Sequence, residues 1–192
     1  MELSKLKRSA FCATAALLLG TSSAAHAALT IDGVTFTTSY SGNTLFVEID
    51  AAGRTGGWAD ALTIGELQVK EIGTFGSVSV SGPGAASAWS ILANELNANG
   101  CSGGSHLGQN ACAFGTHVAL TDNMVFQFTF TGDGVDLSDP HLKVAFYGTG
   151  ANKVGSLLSE NVPAQPVPEP GEWAMLLAGL GVAGVAARWR RR

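Results

Sequence analysis

The middle of the chain alternates. In VTFTTSY, Val34, Phe36 and Tyr40 share one face, and Thr35, Thr37 and Ser39 share the other. After the turn residues SGN, Leu45, Val47 and Ile49 alternate with Phe46, Glu48 and Asp50. A period of two on both sides of a polar turn predicts a β-hairpin. ELQVKEI and GSVSVSG continue that period. MVFQFTFTG directs Met124, Phe126, Phe128 and Phe130 inward, with Val125, Gln127 and Thr129 outward. HLKVAFYG sets Leu142, Val144 and Phe146 against His141, Lys143 and Tyr147. SAWSILANEL is ambiguous: Trp89, Leu92 and Leu96 fit a helical stripe, yet WSIL fits a strand equally well. Residues 87–97 therefore stay open between helix and strand. Several alternating strands joined by Gly-rich turns predict an all-β fold, an antiparallel β-sandwich of jelly-roll-like type. No repeat at 20–50 residues is visible, which argues against a solenoid.

The pattern changes at both ends. Lys5, Lys7 and Arg8 precede a short continuous apolar run at residues 10–20, followed by Ala25-His26-Ala27. A basic start, an apolar stretch and small residues at the two positions that signal peptidase reads predict a signal peptide, residues 1–27, cleaved before Ala28. At the other end, VPAQPVPEPGE is proline-rich and extended, so residues 161–172 read as a linker outside any core. Fifteen residues, 173–187, are then all apolar or Gly. A helix of that length spans about 22 Å, short of the ~30 Å hydrocarbon core. The flanks restore a single transmembrane helix over residues 173–192. Trp173 and Trp189 suit the two interfaces, and Arg188, Arg190, Arg191 and Arg192 can snorkel and mark a cytoplasmic C-terminus. GLGVAG in this run matches the dinucleotide fingerprint, but no strand precedes it and the chain stops soon after.

Val167-Pro168-Glu169-Pro170, a short Gly/Ala/Leu helix and terminal arginines, in that order, resemble the PEP-CTERM sorting signal of Gram-negative bacteria. The same tail is also called the ice-binding protein C-terminal domain, a name that implies nothing about ice here. The resemblance implies recognition through Pro168, Glu169 and Pro170 by an exosortase, a membrane enzyme with a cysteine nucleophile. It also implies an inner-membrane intermediate followed by delivery to the cell surface or the exopolysaccharide matrix. LNANGCSGGSHLGQNACA and the ending HLKVAFYGTGANKVGSLLSE are similar to a group of short PEP-CTERM surface proteins, a likeness that carries no activity with it.

Residues 28–160 remain as one secreted domain. Only Arg54, Lys70, Lys143 and Lys153 are basic there, against twelve acids. Nucleic acid is excluded as a partner, because it demands a basic face. Export also sets the redox compartment. Cys12 leaves with the signal, and Cys101 and Cys112 form an even pair in an oxidising environment, which predicts a disulfide.

Catalytic chemistry finds little support. His106, His117 and His141 fall in no HExxH pattern, no GxSxG elbow is present, and no cofactor is implied. The expected role is non-enzymatic, with exosortase, signal peptidase, membrane lipid and exopolysaccharide as partners. The alternative is a carbohydrate-binding module using the Cys101–Cys112 loop, with Ser105 and His106, and Trp58 as a stacking platform. Trp58 beside two glycines also fits a buried position closing a sheet edge. Asp133, Asp136 and Asp139 cluster in one turn region and offer hard oxygen ligands for Ca²⁺, though Asp in turns is ordinarily solvated.

Overall fold

The computed structural model describes residues 28–167, 176–181 and 188–189. The signal segment with Ala25 and Ala27, the motif residues Pro168, Glu169 and Pro170, and Trp173, Arg190, Arg191 and Arg192 lie outside the described residues. Residues 176–181 and the pair Arg188 and Trp189 are helical and exposed. Among the described residues no helix is long and apolar enough to cross a membrane.

The chain builds strands β1 (Ala28–Ile31), β2 (Val34–Ser41), β3 (Thr44–Asp50), β4 (Thr63–Lys70), β5 (Ser77–Ser81) and β6 (Ser90–Leu92). They continue with β7 (Ala111–Ala119), β8 (Met124–Thr131), β9 (His141–Tyr147), β10 (Lys153–Asn161) and the short β11 (Gln165–Pro166). One sheet runs β1-β2-β3-β8-β5, with β11 added on β2, and the other runs β10-β9-β4-β7-β6. Every pairing is antiparallel except that of β11 with β2.

The two sheets meet at one hydrophobic core. Phe36 of the first sheet lies 6.4 Å from Phe146 of the second, ring centre to ring centre. Of the residues expected inward in β2, β3 and β8, Val34, Phe36, Leu45, Val47, Ile49, Met124, Phe126, Phe128 and Phe130 are buried, while Tyr40 is half-buried against the core. Residues 87–97 resolve toward strand. A 3-10 turn ends at Ala88, β6 follows, and the rest is loop. Trp89 and Leu96 are buried, but Leu92 is 41 % exposed, so no single helical stripe exists.

Strands β1, β7 and β10 are absent from the alternation, each for a physical reason. In β7, Ala111, Cys112 and Ala113 are buried consecutively, inward by the core and outward by the loop above it. In β10, two register shifts break the period. The four residues of β1 are too short for a pattern. A further register shift between Ile64 and Glu66 disturbs the alternation of β4, which starts at Thr63 rather than at Glu66.

Trp58 is a core residue, 6 % exposed. Its ring centre lies 4.8 Å from that of Phe146 and 6.1 Å from that of Phe36. A Cβ on Gly155 of β10 would collide with the indole, so that glycine is what lets the ring lie against the strand. Gly115 of β7 plays the same part for Trp89, whose Nε1 donates to the Thr116 carbonyl at 2.8 Å. Of the two readings of Trp58 the buried one holds, and the stacking platform is corrected, because its apolar area lies inside the core.

The proline-rich segment is also corrected in part. Val162 and Ala164 are buried, and β11 joins the first sheet, so the domain extends through Val167. Ala28 pairs with Thr37 and Gln165 pairs with Ser39. Since β3 occupies the opposite side of β2, the first and last strands share one edge.

Candidate functional site

Two places carry the sequence-derived features: the arm leading into the C-terminal tail, and the disulfide loop. The arm alternates prolines with hydrogen-bond donors. Pro163 and Pro166 have no N–H, and the residues around them supply the bonds. The N–H of Val162 donates to Pro140 O at 3.0 Å, that of Ala164 to Ser138 O at 2.8 Å, and that of Val167 to Tyr40 O at 2.7 Å. From inside the core, Thr38 Oγ1 donates to Val162 O at 2.6 Å. Proline in an added edge strand is tolerated because it need donate nothing on its outer side. Pro168 thus follows in sequence directly on Val167, which among the described residues is the last of the arm bonded to the sheet.

The loop lies over the outer face of the second sheet. Cys101 and Cys112 are joined by a disulfide, with Cα atoms 5.8 Å apart, as the cysteine count predicts. Beneath the loop, Gln68 is fully buried. Its Nε2 donates to Asn94 O at 3.4 Å, and its Oε1 accepts the Leu96 N–H at 2.9 Å. Glu95 is the hub. Its Oε1 accepts Lys143 Nζ at 2.6 Å and Lys70 Nζ at 3.5 Å, while Oε2 accepts Asn110 Nδ2 at 3.1 Å. Burial works to raise the Glu95 carboxyl, but the bond and charge of Lys143, then of Lys70, outweigh it and hold it below the ordinary glutamate range. Nearby, Tyr147 OH donates to Glu66 Oε2 at 2.6 Å. Burial first, and that carboxylate second, push the Tyr147 phenol well above its usual value. It is therefore a fixed donor, not an acid–base group.

Ser105 and His106 are exposed on this loop, and the His106 N–H donates to Ala93 O at 2.7 Å. His106, Gln109 and Asn110 face Lys70, Glu71 and Glu95 across an open cleft of about 280 Å³. The cleft is lined by polar and charged residues and Gly73, with no Trp, Tyr or Phe among them. Sequence reasoning named Ser105 and His106 but missed Gln68, Glu95 and Lys143. The available signal was Lys143 on the outward side of β9, which needs an acid if a loop covers it.

The candidate calcium ligands are not brought together. Among the described residues no group of three or more His, Cys, Asp or Glu side chains is placed to hold a metal ion. Asp136 Oδ1 instead accepts the Ser138 hydroxyl at 2.6 Å and the Ser138 N–H at 3.0 Å, which lowers its pKa. The histidines are dispersed: His117 stacks on Tyr147, and His141 Nε2 lies 3.3 Å from Glu71 Oε2.

Taken together, these features define a two-sheet β domain whose last strand leads straight into a tail. That tail is a sorting signal: residues 166–192 match the family model of the PEP-CTERM protein-sorting motif. The match starts inside β11, where the domain is still folded. The motif implies recognition by an exosortase, with export and sorting to the cell surface. No curated protein matches the chain.

Proposed function

We propose that this chain is a non-enzymatic surface or matrix protein: a jelly-roll-like β-sandwich carried by its sorting tail and associated with exopolysaccharide. A signal peptide over residues 1–27 exports it, and residues 173–192 hold it in the inner membrane as a single transmembrane helix with the arginines cytoplasmic. The observation that carries this reading is the sorting motif following directly on a strand docked to the domain. Exosortase acts on Pro168, Glu169 and Pro170 in that intermediate, and the β domain is the delivered part.

Glu169→Ala tests it in cells that hold a matching exosortase. The variant accumulates in the membrane at its unprocessed size, while the unaltered chain reaches the surface. Normal maturation of the variant overturns the sorting reading.

A second reading is favoured by the polar cleft between the disulfide loop and β4, where a saccharide would meet His106, Gln109 and Glu95. It no longer includes Trp58. Replacing Ser105, His106 and Gln109 by alanine, with polysaccharide retention and melting measured together, decides it. Retention lost at unchanged melting temperature supports the cleft, and unchanged retention removes it.

A further inference from the structure

The two sheets treat their outer faces differently. The second sheet is covered by residues 93–110, held through Gln68 to Asn94 and Leu96 and through Glu95 to Lys143 and Asn110. In the first sheet the outer-face side chains Thr37, Ser39, Phe46, Glu48, Val125 and Gln127 are half-buried to exposed among the described residues. Across it the strand register sets Ser39, Phe46 and Gln127 in one row, and Thr37, Glu48 and Val125 in the next. Phe46 stands at the centre of this face, half-buried, between a hydroxyl and a carboxamide. Thr37, Ser39, Phe46, Glu48 and Val125, with Val167 from the arm, line a shallow depression of about 340 Å³. Two residues further along the same face, Thr44 and Thr129 pair hydroxyl to hydroxyl at 3.1 Å.

We infer that this face binds a neutral polysaccharide chain, with Phe46 as the stacking platform and Glu48 and Gln127 as its polar contacts. The inference rests on the reading that the protein associates with exopolysaccharide, and it moves the contact away from the disulfide loop. Three physical facts select that ligand. A pyranose ring has an apolar C–H face that fits an aromatic plane and a hydroxyl rim that fits carboxylates, amides and hydroxyls. The face offers both sets on a rigid sheet, so little side-chain freedom is lost on binding.

Charge excludes the acidic polymers. The four cations of the domain are Arg54, between β3 and β4, and Lys70, Lys143 and Lys153, all on the second sheet. None belongs to a strand of the open face, whereas Glu48 sits in the depression itself. An anionic chain would meet repulsion with nothing to offset it. Protein partners fit less well. The depression is lined by six residues, the carboxylate of Glu48 among them, where a stable protein interface takes about 20–30 residues a side.

Native gel electrophoresis of the exported full chain through gels containing hydroxyethylcellulose, dextran or alginate tests the inference. Retardation is expected with a neutral polymer and not with alginate. Phe46→Ala should bind about fivefold more weakly at unchanged melting temperature, as expected for loss of one stacking contact. If that variant melts lower, the pair Glu48→Gln with Gln127→Ala decides in its place. No retardation by either neutral polymer overturns both the binding face and the polysaccharide association, and leaves sorting to the Glu169 experiment. Retention lost only in the Ser105, His106 and Gln109 variant overturns the face alone. Equal retardation by alginate, or self-association through the face in place of polymer binding, also overturns it.

Discussion

Thr38 and Val162 are joined by a 2.6 Å hydrogen bond from a fully buried hydroxyl to a buried carbonyl, across 124 residues of sequence. Thr38 sits on the inward side of β2, in a position its neighbours Val34 and Phe36 fill with apolar side chains. Its hydroxyl is there because the incoming arm brings a carbonyl that needs a donor.

Thr38→Val keeps the volume and removes that donor. The Val162 carbonyl is then buried and unpaired, a cost of about 1–3 kcal/mol. Melting should fall accordingly. Limited proteolysis should find a new cleavage site at residues 161–167 before the rest of the domain is attacked. Unchanged melting with an intact arm would show that the bond does not hold it.

Glu95 predicts an acid response. Its folded-state carboxyl is held below its unfolded value, so its contribution is fully present above the ordinary glutamate range. That contribution is lost as pH falls through the depressed value. Below that point Lys70 and Lys143 are left facing each other without their shared carboxylate. Amide protection factors in residues 93–110 should fall on acidification ahead of those in the first sheet. In Glu95→Gln that dependence should disappear and the loop should exchange faster already at neutral pH. A loop equally protected at every pH in both proteins refutes the clamp.

Gly155 predicts a packing response. A methyl group there meets the Trp58 indole, which is itself fixed between Phe36 and Phe146. Gly155→Ala should cost about 1–3 kcal/mol from overpacking. The loss should appear as a lower midpoint in denaturant unfolding, followed by Trp fluorescence. The double change Gly155→Ala with Trp58→Phe should recover part of it. A single variant as stable as the original would mean that the ring has room to move.

These responses separate what the sequence discloses from what it conceals. The hairpin of β2 and β3 and the whole of β8 follow from alternation, because one side of each faces the core and the other faces water. Alternation fails where both sides are covered. Ala111, Cys112 and Ala113 are closed off by the core on one side and the loop on the other, so β7 has no polar face to betray it. Trp58 could not be placed from its neighbours, since the glycine that accommodates it, Gly155, lies far along the chain. Proline content pointed to a free linker, yet Val162 and Ala164 are buried. Three backbone donors and the Thr38 hydroxyl dock a segment in which prolines contribute none. The sorting tail was legible because its signal is a short ordered string of residue types and needs no partner in space.

Ala28 and Gln165 face neighbouring positions on a single edge of β2. Under the sorting reading, one membrane grips the precursor both ahead of Ala28 and beyond Val167. A chain tethered twice can close its fold only if the two tethers are allowed to stand side by side. This topology meets that condition at the described residues, because Ala28 and Val167 both lie on that one edge of β2. Folding can therefore run to completion while both attachments persist, and cutting either one frees the end it held without reopening the core.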